Sequence, residues 1–161
     1  MFFGRRRLNR FDDPEGRYGV LYLARQREGA FVERFLRDPG AYQRVISEAE
    51  LEGTLLSSVS TTRALRLVDL AGRGLARMGA DGRLATGNYT LAQRWSRACY
   101  HHPAEPDGLR YRSRHNPRFL CAAIFDRAEG ALSTETSATL REHLGSTALF
   151  ELLERYQVAL V

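Results

Sequence analysis

Apolar residues fall along this chain in two rhythms, one of period two and one of period near 3.6. The segment "YGVLYLA" (18–24) sets Tyr18, Val20, Tyr22 and Ala24 on one face and Leu21 and Leu23 on the other. Both faces therefore read as buried, which predicts an interior strand. From about Glu28 the spacing of Phe31, Val32, Phe35 and Leu36 becomes helical, and Pro39-Gly40 is the expected stop. Asp38 to Ser60 gives a turn and then helical or extended pieces around Val45 to Leu56. "RALRLVDL" (63–70) alternates as a strand. Glycines 72, 74, 79, 82 and 87 predict a loop-rich stretch, after which Ala92, Trp95 and Ala98 or Cys99 mark the apolar face of a helix that Pro103 and Pro106 close. "GLRYRSRH" then alternates Leu109, Tyr111 and Ser113 against Arg110, Arg112 and Arg114, and Phe119 to Phe125 forms a second apolar strand. Helices over 137–144 and 146–155, separated by Gly145, and a closing strand over 157–161 complete the series. Strands and helices do not alternate strictly, so the expected class is α+β with a largely antiparallel sheet, in a single domain over 1–161.

Composition narrows the function classes. With 161 residues and 43% hydrophobic content the chain can bury a sizeable core. No apolar run approaches the roughly 18 residues that span a membrane. Met1-Phe2-Phe3-Gly4 is followed at once by Arg5, Arg6 and Arg7, the reverse of a secretory signal, so the chain reads as cytoplasmic. Two cysteines, Cys99 and Cys121, fit small buried hydrophobes better than a disulfide. All 24 basic residues are arginine and the net charge is +5. That suits phosphate binding, but the arginines are dispersed and carry no helix-turn-helix, zinc or RNP-type signature.

Motif spacing excludes more than it assigns. Gly72-Arg73-Gly74 follows a strand, yet a dinucleotide fingerprint needs glycine at position 77, which is Arg77. The histidines and cysteines match no zinc spacing, so no metal is expected. Thr90-x-x-Gln93 has the form of a capping box. Glu33 falls across the helix from Phe31 and Phe35, where periodicity reads a solvated charge.

Three ordered segments point further: "NRFDDPEGRYGVLYLA" with "GAFVERF", then "TGNYTLAQRW", then "GLRYRSRH" with "CAAIFD". Together, over residues 3–127, they resemble the RES domain family, the toxins of bacterial RES–Xre toxin–antitoxin pairs. The resemblance implies an ADP-ribosyltransferase-like fold and attack on NAD, as substrate, at the nicotinamide–ribose bond by hydrolysis or phosphorolysis. Glu33 then matches the family glutamate, Arg10 the arginine before the strand, and Ser113 the signature serine, these three being the catalytic candidates. Arg10, Tyr22, Thr90 and Gln93 are the implied NAD-binding set. Relatives carry another arginine on a strand upstream of the "RF" segment, whereas only nine residues precede Arg10 here, which leaves two expectations open: Arg5, Arg6 or Arg7 substitutes for it, or the true start lies further upstream. The implied partner is an Xre-type helix-turn-helix antitoxin that would be the route of any nucleic-acid contact. A homodimer and a toxin–antitoxin hetero-oligomer both stay open. So do a protein ADP-ribosyltransferase of the same fold and a non-catalytic binding module.

Overall fold

The apolar run ending at Ala24 forms β1 (Val20–Ala24), and after a short break the chain enters α1 (Arg27–Phe35). The computed structural model describes residues 1–36 and 44–161, so the stop expected at Pro39-Gly40 lies outside the described residues. The ambiguous middle resolves into β2 (Arg44–Ile46), α2 (Glu48–Glu52) and β3 (Leu55–Thr61). β4 (Leu67–Leu70) is shorter than the alternation predicts. Arg63 is drawn out of line by a two-pronged ion pair with the buried Asp107, at 2.8 and 2.7 Å.

The glycine-rich stretch is a correction. It holds two short helices, α3 (Arg73–Arg77) and α4 (Arg83–Thr86). Gly74 makes this turn possible: a Cβ there would lie 2.0 Å from the Asp69 carbonyl oxygen. Asp81 starts α4 by accepting the Arg83 backbone N–H at 2.9 Å. α5 (Tyr89–Tyr100) follows, but its N-cap is Asn88, whose side chain accepts the Thr90 N–H. The capping box expected at Thr90 and Gln93 is therefore overturned, because an Asn two residues earlier already satisfies the first turn. β5 (Gly108–Arg112) and β6 (Leu120–Phe125) match expectation. β7 (Leu132–Thr139) does not: its Ser/Thr-rich, exposed sequence carries no apolar alternation, and it takes 137–139 from the expected helix. That helix, α6 (Leu140–Leu144), starts at a true capping box of Thr139 and Glu142. α7 (Ser146–Arg155) and β8 (Val158–Leu160) close the chain.

The main sheet has the order β1-β6-β5-β4, antiparallel except for the β4–β5 pair. β3 and β7 form an antiparallel ribbon, and β2 pairs with β8 in parallel. The class is α+β, mixed and largely antiparallel, with flanking helices. β1 lies at the sheet edge, which corrects the interior placement. Its two faces are nonetheless covered, Tyr22 and Ala24 by the core under α5 and Leu21 and Leu23 by the cluster around Ile124 and Leu132. Apolar residues on both faces report covering layers, and they say nothing about neighbours in the plane of the sheet. A further core joins Phe31 and Val32 of α1 to Leu149, Leu152 and Leu153 of α7. Among the described residues no helix is long and apolar enough to cross a membrane.

Candidate active site

The loop before β1, α1 and the turn after β5 converge on a cavity of about 280 Å³. Its lining includes Arg10, Tyr22 and Glu33. α1 reaches it because Gly29 lets the helix approach the sheet: a Cβ there would lie 3.2 Å from Phe119 and 3.3 Å from Ala24. One turn further, Ala30, Glu33 and Arg34 share a helical stripe and all line the cavity, while Phe31 and Val32 are fully buried on the other side. Glu33 thus faces a cleft, its Oε1 shielded from solvent, where periodicity read an open surface.

Arg10 is 6% exposed. Its Nη1 donates to the carbonyl oxygens of Leu84 and Gly87, at 3.2 and 3.0 Å, at the C-terminal end of α4. The glycine-rich stretch therefore acts as a carbonyl cradle for this guanidinium, which also stacks over Tyr89 at 4.6 Å. Burial pulls the Arg10 pKa down, offset by Tyr89 and, more weakly, by Tyr111 and Glu33, while Arg114 pushes it down further. Its Nη2 is buried with no hydrogen-bond partner among the described residues. A buried charged donor without a partner, on a side chain that lines a cavity, is placed to meet an anion there.

The loop carrying Arg10 is held by a buried network. Asp12 accepts from the backbone and side chain of Asn9, at 2.9 and 3.2 Å, and from the Tyr22 hydroxyl at 2.9 Å. That hydroxyl in turn accepts the Phe11 N–H at 2.8 Å. Burial first, and the Asp12 charge second, push the Tyr22 phenol well up. Its oxygen is committed to the loop, so Tyr22 offers the cavity its ring. Gln93 pins the same loop, donating to the Arg7 and Asn9 carbonyls at 3.3 and 3.1 Å.

Of the other sequence candidates, Thr90, Gln93 and Ser113 do not line this cavity. Ser113 is 1% exposed, and its Oγ accepts the backbone N–H groups of His115 and Asn116, each at 3.2 Å. It shapes a turn whose next residues, Arg114 and His115, do line the cavity. None of Arg5, Arg6 and Arg7 lines it; Arg5 pairs with Asp126 at 2.7 Å. Sequence reasoning missed Asn9, Tyr89, Tyr111, Arg114 and His115. Alternation through "GLRYRSRH" would have set Arg114 on the face away from Tyr111; β5 ends at Arg112, and the turn capped by Ser113 brings Arg114 to the same cavity as Tyr111. Tyr22, Leu23, Ala24, Ala30 and Arg34 also border a neighbouring groove of about 1000 Å³.

The RES domain family model matches residues 1–144. A Sinorhizobium fredii protein named Probable toxin y4kH is 32% identical over 130 residues, covering 80% of this chain and 98% of that one. In three dimensions the chain is similar to one in the crystal structure of the M. tuberculosis MbcT–MbcA toxin–antitoxin complex, with a TM-score of 0.67. That match, at 16% identity, covers 89% of this chain and 78% of the other.

Proposed function

This chain belongs to the RES domain family, and on that premise we propose that it is the toxin of a toxin–antitoxin pair and that it destroys NAD by breaking the bond between nicotinamide and ribose. The observation that carries the reading is the meeting of Arg10, Tyr22 and Glu33 in one cavity, with a buried Arg10 Nη2 that has no hydrogen-bond partner among the described residues.

The chemistry follows from charge. When the C1′–N bond breaks, its electron pair leaves with nicotinamide, which departs neutral, and positive charge grows on the ribose. The oxygen of water, or of inorganic phosphate, forms the new C1′–O bond and releases its proton to solvent. Glu33 stabilises the cationic ribose in the transition state more than the ground state, where the charge sits on the nicotinamide ring. At about 4 Å and an effective dielectric near 20 such a carboxylate contributes up to about 4 kcal/mol, or about three orders of magnitude in rate. Arg10 binds the diphosphate through its unused nitrogen, and the Tyr22 ring packs against nicotinamide. The chain's own residues supply this chemistry without a metal.

The regulatory partner in this reading is an Xre-type antitoxin seated over the cavity. Controlled expression in bacteria tests the whole: the wild-type chain should deplete cellular NAD and stop growth, Glu33→Gln should do neither, and co-expressed antitoxin should restore growth. Growth arrest with NAD intact would refute the proposal. The groove bordering the cavity favours one second reading, transfer of ADP-ribose to a polypeptide lying in it. Label from adenine-labelled NAD would then stay on a macromolecule.

A further inference from the structure

We infer that Arg114 is a second diphosphate-binding residue, and that the buried Ser113 is the positioning residue that mounts it. The inference rests on the NAD reading for the identity of the ligand, while the anion site itself stands on geometry.

Charge comes first. The cavity is lined by three guanidiniums, Arg10, Arg34 and Arg114, against one carboxylate, Glu33. Arg34 is engaged by Glu50 at 3.3 Å. Arg114 makes no hydrogen bond or ion pair among the described residues, yet its charge is close enough to lower the Arg10 pKa. Two cations that repel across a partly desolvated space, one of them with a buried nitrogen lacking a partner, define a place where a doubly negative group is more stable than solvent. A diphosphate fits that description, with one guanidinium for each phosphate.

The mount comes second. An exposed arginine is a poor ligand if holding it still costs much side-chain and backbone entropy. Here the backbone is already fixed. The Ser113 N–H donates to the Phe119 carbonyl at 3.1 Å, the Phe119 N–H donates to the Asn116 carbonyl at 3.0 Å, and the Ser113 hydroxyl caps two further N–H groups inside the turn. Asn116 ties the turn to Tyr156 of the neighbouring segment, at 3.1 Å. A serine with its hydroxyl turned inward cannot itself touch the ligand from this position, but it sets the direction in which Arg114 leaves the backbone.

The test measures inorganic pyrophosphate as a probe, by its binding to the protein and by its inhibition of NAD turnover. Arg114→Gln should weaken pyrophosphate binding about tenfold to a hundredfold and raise the KM for NAD by a similar factor, far more than it lowers kcat. Arg114→Lys should recover part of the loss, since it keeps the charge without the fork. Ser113→Ala should shift KM in the same direction as Arg114→Gln, and combining the two should add little. Wild-type turnover of NAD with pyrophosphate binding and KM unchanged in Arg114→Gln would overturn the inference and leave the NAD reading standing. Arg114-dependent pyrophosphate binding by a protein that leaves NAD intact would do the reverse. If the wild type bound neither, both would fall.

Discussion

Glu33 and Arg10 show how little a residue's type says until its surroundings are known. Each is one charge among many in a chain with 24 arginines and 19 acidic residues. What singles out Arg10 is burial with one nitrogen on two carbonyls and the other without a partner among the described residues. Arg10→Lys keeps the charge but cannot span the Leu84 and Gly87 carbonyls and still present a second donor, so NAD affinity should fall at least about tenfold in a titration. Tyr22 is tied into the same loop through Asp12 and Phe11. Tyr22→Phe keeps the ring while depriving the buried Asp12 of a donor and the Phe11 N–H of an acceptor. It should cost about 1–3 kcal/mol of stability in denaturant unfolding, with a loss of activity that exceeds the loss of fold because Arg10 rides on that loop. None of this network was visible in the sequence, where Asp12 and Asp13 entered only as part of the segment "NRFDDPEGRYGVLYLA".

At the scale of elements, the sequence revealed what is periodic and concealed what is not. α1, α7, β5 and β6 stand close to where apolar spacing puts them. β7 escaped notice because an exposed ribbon strand of Ser and Thr has no buried face to announce it. The helices α3 and α4 were hidden by glycines that serve tight turns, and the function of α4 in cradling Arg10 is a tertiary fact with no local signature. The site was legible in its members Arg10, Tyr22 and Glu33 only through the ordered family segments; Arg114 and His115 reach it through a turn whose geometry belongs to Ser113. The packing of α1 on the sheet through Gly29 offers a sharp test. Gly29→Ala pushes a methyl group to 3.2 Å from Phe119 and 3.3 Å from Ala24, so the helix must shift outward by a few tenths of an ångström. In the proposed mechanism catalysis depends on the placement of Glu33 one turn away. The expected outcome is a loss of kcat of about tenfold or more with unfolding affected modestly, since Ala otherwise favours a helix.

For the whole molecule, buried acids with raised pKa values make the fold sensitive to alkali. Burial, aided by Glu33, holds the Cys121 thiol up at about 12, and burial likewise raises Cys99, Tyr18 and Tyr22. In the unfolded chain a thiol ionises near pH 8.5 and a phenol near 10. Above roughly pH 8.5 the unfolded state therefore binds fewer protons than the folded one, and stability falls as pH rises toward 12. Thermal unfolding followed from pH 7 to 11 should show a decline that sets in above roughly pH 8.5 and steepens toward pH 11, and Cys121→Ser should change the shape of that decline. If NAD is the substrate, the net charge of +5 should draw this anion toward the protein, and association should weaken as salt screens it. The central claim needs one direct measurement: NAD incubated with the purified chain and followed by proton NMR for nicotinamide release. The account requires nicotinamide to appear with the wild type and to be suppressed about a hundredfold or more by Glu33→Gln. NAD left intact by the folded wild type, or equal release by both proteins, would contradict it.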